Sequence, residues 1–150
     1  MGVSYDAFVG AFLSKITEYD FVRLLDETDR ETIVDGYLKR ALSGFKKNCL
    51  YDFFSTGDDN AREFDVDIEG EDLNEIIDIV SEGMVVQWLK PYVYQQTLLE
   101  NALSTSDFKT YSPAELLRRV GSAYKKAQGD YTQMIREYSF NHGNIAELHN

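Results

Sequence analysis

From Glu71 the apolar residues fall at helical spacing through Leu73, Ile76, Ile77, Val80, Met84, Trp88 and Leu89, a run hydrophobic enough to form the central helix of a core. Acids dominate its first turns, where the positive end of the helix dipole favours them. Pro91 then removes a backbone donor and crowds the preceding turn, so the helix is expected to kink or stop near Lys90 and resume through Val93, Leu98 and Leu99. A polar loop follows from Ser104 to Tyr111. Ser112-Pro113-Ala114-Glu115 then supplies an N-cap, a proline suited to the first helical position and the acid of a capping box. It launches a helix through Leu116, Leu117, Val120, Tyr124, Tyr131, Ile135 and Tyr138, with Gly143 as its stop. The second half of the chain therefore reads as a long, kinked helical hairpin.

The first half holds two shorter helical patterns. Ser4 is a cap for a helix in which Phe8, Phe12 and Ile16 repeat every four residues, with Val9 and Leu13 beside them. Thr28-Asp29-Arg30-Glu31 has a capping-box arrangement, and Ile33, Val34, Tyr37, Leu38, Ala41, Leu42 and Phe45 follow at helical spacing to about Lys47. From Asn48 to Gly70 the helical period is lost. Thr56-Gly57-Asp58-Asp59-Asn60 is rich in turn formers, and Phe64, Val66 and Ile68 alternate with Asp65, Asp67 and Glu69, as in a short strand or extended arm. The predicted fold is mainly α: a helical bundle with a long kinked helix hairpin and a short extended or β segment near residues 63–69. The 150 residues contain no repeat and no dividing linker, so one domain is expected, with an acidic extended segment at about 48–70.

Apolar residues at 43% and charged residues at 27% are ordinary for a globular chain. The formal net charge of -11 argues against free binding to nucleic acid, which depends on Lys and Arg displacing counterions from phosphates. Residues 1–82 hold 20 acids against 8 bases, whereas residues 83–150 hold 6 against 7. Asp58 to Glu82 alone contains eleven acids and one base, Arg62. Such a block reads as a solvated face, or as a surface that steers a basic partner.

Cys49 is the single cysteine, which excludes an internal disulfide and a thiolate metal centre and points to a reducing compartment. No stretch approaches the ~20 apolar residues of a membrane span, and the first residues lack the pattern of a signal peptide. Met1-Gly2 begins like a myristoylation signal, but Asp6 stands where Ser or Thr is needed. The expectation is an intracellular chain with no membrane attachment.

Motifs that carry chemistry are sparse. Asp65-Val66-Asp67-Ile68-Glu69-Gly70 starts like a calcium loop, but Ile76 occupies the position of the closing Glu and Asp72 an ordinarily apolar one. His142 and His149 have no cysteine nearby to complete a zinc site, and His142 is better placed to cap the last carbonyls of its helix. Cys49, among Leu50, Tyr51, Phe53 and Phe54, reads as a packed side chain rather than a nucleophile. There is no phosphate-cradling loop, no His-Glu-x-x-His and no Gly-x-Ser-x-Gly, and nothing distinguishes one carboxylate pair as acid and base. A non-catalytic chain without cofactor or metal is expected.

The candidate functional residues are therefore those of contact surfaces. Asp58, Asp59, Asp65, Asp67 and Glu69 represent the acidic block. Arg118, Arg119, Lys125 and Lys126 form a basic strip on the last long helix, which is either a solvated face or the partner of the acidic block on another copy. Trp88, Tyr92 and Tyr94, around Pro91, are aromatics suited to a contact, although Trp88 also fits the core period.

Glu82-Gly83-Met84-Val85-Val86-Gln87-Trp88-Leu89-Lys90-Pro91, followed by Asp107-Phe108-Lys109-Thr110-Tyr111-Ser112-Pro113-Ala114-Glu115-Leu116-Leu117 and Glu137-Tyr138-Ser139-Phe140-Asn141-His142-Gly143, resembles small structural proteins of tailed phages infecting Gram-positive bacteria. The group is the head-tail connectors, or neck adaptors, and the resemblance covers about the last 80 residues. It implies a virion protein, assembled in the host cytoplasm, that forms a ring joining portal to tail and leaves a channel for DNA. An acidic lumen would repel DNA phosphates rather than hold them. It also implies a C-terminal docking tail at about 141–150, with His142, Ile145 and Leu148 as its contact residues. The alternative is a small acidic regulator or nucleic-acid mimic that binds a basic host protein, supported by the Asp58 to Glu82 block.

Overall fold

A computed structural model describes residues 2–17, 30–94 and 113–142. Its elements are β1 (Val3–Ser4), α1 (Tyr5–Ile16), α2 (Arg30–Phe45), β2 (Gly57–Asp58), β3 (Glu63–Phe64), α3 (Gly70–Tyr94) and α4 (Pro113–Asn141). The chain is mainly α, with one small antiparallel sheet of strand order β1-β3-β2.

The helices follow the sequence periods. Ser4 caps α1, its hydroxyl accepting the Asp6 N–H at 3.1 Å, and Phe8, Phe12 and Ile16 are fully buried along one face. In α2, Val34, Leu38, Ala41, Leu42 and Phe45 are buried, whereas Ile33 remains 36% exposed. α3 packs against α4, α2 and α1, and Ile76, Ile79, Val80, Met84, Val85, Trp88 and Leu89 are buried around its circumference. Each large side chain buried this fully contributes about 1.5–3 kcal/mol relative to exposure. α4 buries Val120, Ala123, Tyr124, Ala127 and Tyr138 and half-buries Leu117, Tyr131 and Ile135.

Two details refine the expectation. Of the expected kink or stop near Lys90, the stop does not occur: Pro91 lies inside α3, which continues to Tyr94. Pro91 removes one donor and crowds the turn before it, a cost borne within one turn of the helix end while Val86, Trp88 and Leu89 in the preceding turns are buried. The strand near residues 63–69 is limited to Glu63–Phe64, and its partners are two segments that carry no strand pattern, Val3–Ser4 and Gly57–Asp58. Phe64 pairs with Val3 on one side and Gly57 on the other. Beyond the strand the alternation still holds, with Phe64 and Val66 buried, Ile68 half-buried, and Asp65, Asp67 and Glu69 exposed. The ring of Phe64 stands edge-on to Phe8 and Phe53 at 5.5 and 5.4 Å, which ties the sheet to α1. Gly70, with φ +73°, adopts a conformation that a side chain would disfavour and turns the extended segment into α3. The capping box at Thr28, the residues Leu98 and Leu99, the loop from Ser104 to Tyr111, Ser112 and the stop at Gly143 lie outside the described residues.

Candidate functional site

The acidic block divides into carboxylates used within the fold and carboxylates that face water. Asp58 accepts the N–H groups of Asn60 and Ala61 at 2.9 and 3.3 Å, closing the turn between β2 and β3. Asp59 accepts the Tyr5 hydroxyl at 2.8 Å and the Lys39 ammonium at 2.6 Å, and these bonds, Lys39 first, hold its pKa below the usual carboxylate range. These two are thus structural as well as exposed. Asp65, Asp67 and Glu69, joined by Glu71 and Asp72 at the start of α3, are exposed. Alternate residues of an extended chain lie about 6.5 Å apart, so Asp65, Asp67 and Glu69 line up along one edge instead of converging on an ion. Among the described residues, no group of three or more His, Cys, Asp or Glu is placed to hold a metal.

At the centre of the block sits Arg62, whose role the sequence did not disclose. Its guanidinium donates twice to Asp35 on α2, at 2.8 Å each, and once to Asp6 on α1 at 2.7 Å, with Glu31 at 3.4 Å. Its carbonyl accepts the Tyr5 N–H at 2.9 Å. The Asp35 bonds raise its pKa further, so it is a fixed cation that fastens the acidic turn to two helices. The available signal was its isolation as one base among eleven acids.

The basic strip occupies the other end of the hairpin. Tyr94, near the end of α3, meets Tyr124 edge-on at 6.2 Å, and His142, at the end of α4, meets Glu75 in the early turns of α3 at 3.0 Å. α3 and α4 are therefore antiparallel, and Arg118, Arg119, Lys125 and Lys126 lie toward the end of α3 that is remote from Asp65–Asp72. A helix of 25 residues separates its ends by roughly 35 Å. All four bases are exposed. Spacings of seven place Arg118 with Lys125, and Arg119 with Lys126, on common faces. Glu115 approaches Arg119 at 3.5 Å and Arg118 at 4.0 Å, and Lys126 pairs with Asp130 at 3.0 Å, so acids interleave the strip.

The aromatic candidates separate. Trp88 is fully buried, with Phe12 edge-on at 6.3 Å, so it belongs to the core and not to a surface. Its core period decides the matter. Tyr92 is half-buried, and Tyr94 stays 68% exposed beside the basic strip.

His142 does not use its ring on the last carbonyls of α4. Its backbone N–H donates to the Tyr138 carbonyl at 3.0 Å, while the ring stacks on Tyr138 at 4.2 Å and meets Glu75. Asn141 thus ends α4 and His142 is held against α3. Ile145 and Leu148 lie outside the described residues. Tyr138 also accepts the Leu50 N–H at 3.3 Å, and Ser139 donates to Asn48 at 2.9 Å, pinning the turn after α2. In that turn Cys49 is half-buried, and burial pushes its thiol pKa up, contrary to a nucleophile's needs. No helix among the described residues is long and apolar enough to cross a membrane.

No protein-family model, curated protein or solved structure matches this chain.

Proposed function

We propose that the chain is a non-catalytic structural subunit of a tailed-phage virion, a head-tail connector that assembles as a ring between portal and tail. The observation that carries this reading is the placement of opposite charge at opposite ends of the antiparallel pair α3 and α4, with Asp65, Asp67, Glu69, Glu71 and Asp72 at one end and Arg118, Arg119, Lys125 and Lys126 at the other. Unlike ends make a heterologous contact, and a heterologous contact closes into a ring when its rotation permits. Such charges add more to orientation and encounter rate than to affinity, so exposed Tyr94 beside the strip supplies apolar contact area. The resemblance of residues 82–143 to phage neck proteins supplies the biological setting, a virion assembled in the host cytoplasm. Portal and tail-side proteins would be its partners and DNA would pass through the channel. Residues 143–150 are the segment offered to the adjoining ring.

Light scattering on the purified chain, alone and with a phage portal, tests the reading. Arg118→Glu with Lys125→Glu should reduce a ring to monomers, as should Asp65→Lys with Asp67→Lys, and mixing the two variants should restore mixed assemblies. All four positions are exposed, so folding is expected to survive. Deleting residues 143–150 should leave the ring intact and abolish joining to the adjoining one. A monomer or dimer at every concentration, indifferent to the portal, would overturn the connector. It would favour the acidic regulator that the exposed Asp65–Asp72 edge also suits.

A further inference from the structure

β2 and the turn after it, residues 57–62, are held to the fold by charge and one close backbone approach, not by apolar burial. Residues 57–61 are exposed, and none of the six belongs to the apolar core. Two polar clasps fasten the segment to α1 and α2. In one, Arg62 donates to Asp35 and Asp6, and its carbonyl accepts the Tyr5 N–H. In the other, Asp59 accepts from Lys39 on α2 and from the Tyr5 hydroxyl on α1. Gly57 seats so closely that an added Cβ would fall 2.7 Å from the Tyr5 hydroxyl oxygen and 3.3 Å from the Phe64 ring. Gly57 and Asp59 form one wall of a half-open hollow of about 250 Å³ whose other walls include Tyr5, Leu42 and Phe64.

This balance of contacts places the segment at the low-stability end of the fold. Regions with few buried apolar contacts open locally, at a free energy below that of global unfolding. Exposed ion pairs add little to closure, and Lys39 and Asp59 are 50% and 62% exposed. The closed segment also holds Arg62 at φ +54°, so opening releases that strain. Its flanks, by contrast, are anchored. Phe53 and Phe64 are buried and stand edge-on to each other at 5.4 Å, so the chain between them can lift from two fixed points.

We propose that residues 57–62 are an ionic strap that lifts from α1 and α2 as one unit while the helical body stays folded. Both clasps part together because Tyr5 is shared: its N–H bonds Arg62 and its hydroxyl bonds Asp59. Lifting opens the hollow at Tyr5 and Phe64. It also leaves Asp6, Glu31 and Asp35 without the cation that neutralises them, so the strap sets how much negative charge α1 and α2 present to a basic partner. The inference does not depend on the virion role.

Native-state hydrogen exchange at rising, sub-denaturing urea tests the strap in the full chain. The Tyr5 amide, bonded to Arg62, and the Asp65 amide, bonded to Thr56, report opening, while the amides of Val80 and Leu89, buried in α3, report global unfolding. The two strap amides should exchange at least about a hundredfold faster than those of α3, and with almost no dependence on urea, because a lifted strap exposes little surface. Arg62→Ala should speed both strap amides by one common factor, about thirtyfold for the loss of its bonds. Gly57→Ala, which keeps every charge but wedges the turn off Tyr5, should also speed the two equally. Strap amides that share the urea slope of α3 would overturn the proposal by showing that the turn opens only with the whole fold. Unequal factors for the two amides would overturn it as well, because the clasps would then open separately.

Discussion

Arg62 fastens the acidic turn to α1 and α2. Its backbone holds φ at +54°, which costs a non-glycine residue about 1–2 kcal/mol, and the guanidinium bonds to Asp35 and Asp6 outweigh that strain. The side chain is 19% exposed, so its removal should cost less than the 3–5 kcal/mol of a fully buried pair. Arg62→Ala is expected to destabilise by about 2 kcal/mol. Arg62→Lys should cost roughly half as much, because the charge survives but the two-pronged geometry does not. Arg62→Gly should be about 1 kcal/mol milder than the alanine variant, since glycine accepts the positive φ. Urea midpoints at an unchanged denaturant slope would measure all three. An alanine variant within about 0.5 kcal/mol of the parent would mean that water already satisfies Asp35 and Asp6. The sequence marked Arg62 as an isolated base but hid its partners, which lie 27 and 56 residues away.

At the scale of elements, what was legible was what is local. The cap of α1 and the apolar periods of α1 and α3 depend on residues two to four apart, and the buried positions follow them. The sheet was only one-third legible, because strands of two residues have no period to read and β1 pairs with a segment 61 positions away in the Val3–Phe64 register. The close crossing of α2, α3 and α4 was not legible either. There Tyr131 donates to the Ala41 carbonyl at 2.5 Å and packs close to Gly83, where an added Cβ would fall 2.6 Å from the ring and 2.9 Å from the Ala41 methyl. Gly83→Ala should therefore destabilise by about 1–3 kcal/mol despite the better helix propensity of alanine. Gly121→Ala, in α4 with nothing within 4 Å of the new methyl, should stabilise by about 0.5–1 kcal/mol. Thermal unfolding of the two variants separates crossing from propensity: a stabilising Gly83→Ala would show that the helices have room to part.

For the whole molecule, charge segregation was legible by counting, and the antiparallel pairing of α3 and α4 puts the two charges at opposite ends. The commitment of Asp58, Asp59 and His142 to internal contacts was not, because each depends on tertiary partners. The same tertiary burial sets the response to pH. Tyr37, Tyr131 and Tyr138 have phenol pKa values pushed up to about 12, burial being the leading cause in each, and burial and the Asp59 bond raise Tyr5 as well. An unfolded tyrosine ionises near pH 10. Between about pH 10 and 12 the native chain therefore binds more protons than the unfolded one, so stability falls as pH rises, having been fully present below that window. At the acid end Asp59 has the opposite sign. Its depressed pKa gives stability that is present above about pH 4 and is lost as pH falls through the folded value. Urea midpoints should thus be flat across neutral pH and drop steeply above about pH 10, in step with tyrosinate absorbance. Tyr37→Phe should stay within about 0.5 kcal/mol of the parent at neutral pH, as its ring packing against Phe12 is kept, yet show a shallower alkaline fall. Unchanged stability through pH 11 would mean that water reaches these phenols in the folded chain, and the tight packing of α4 on α2 and α3 would have to be abandoned.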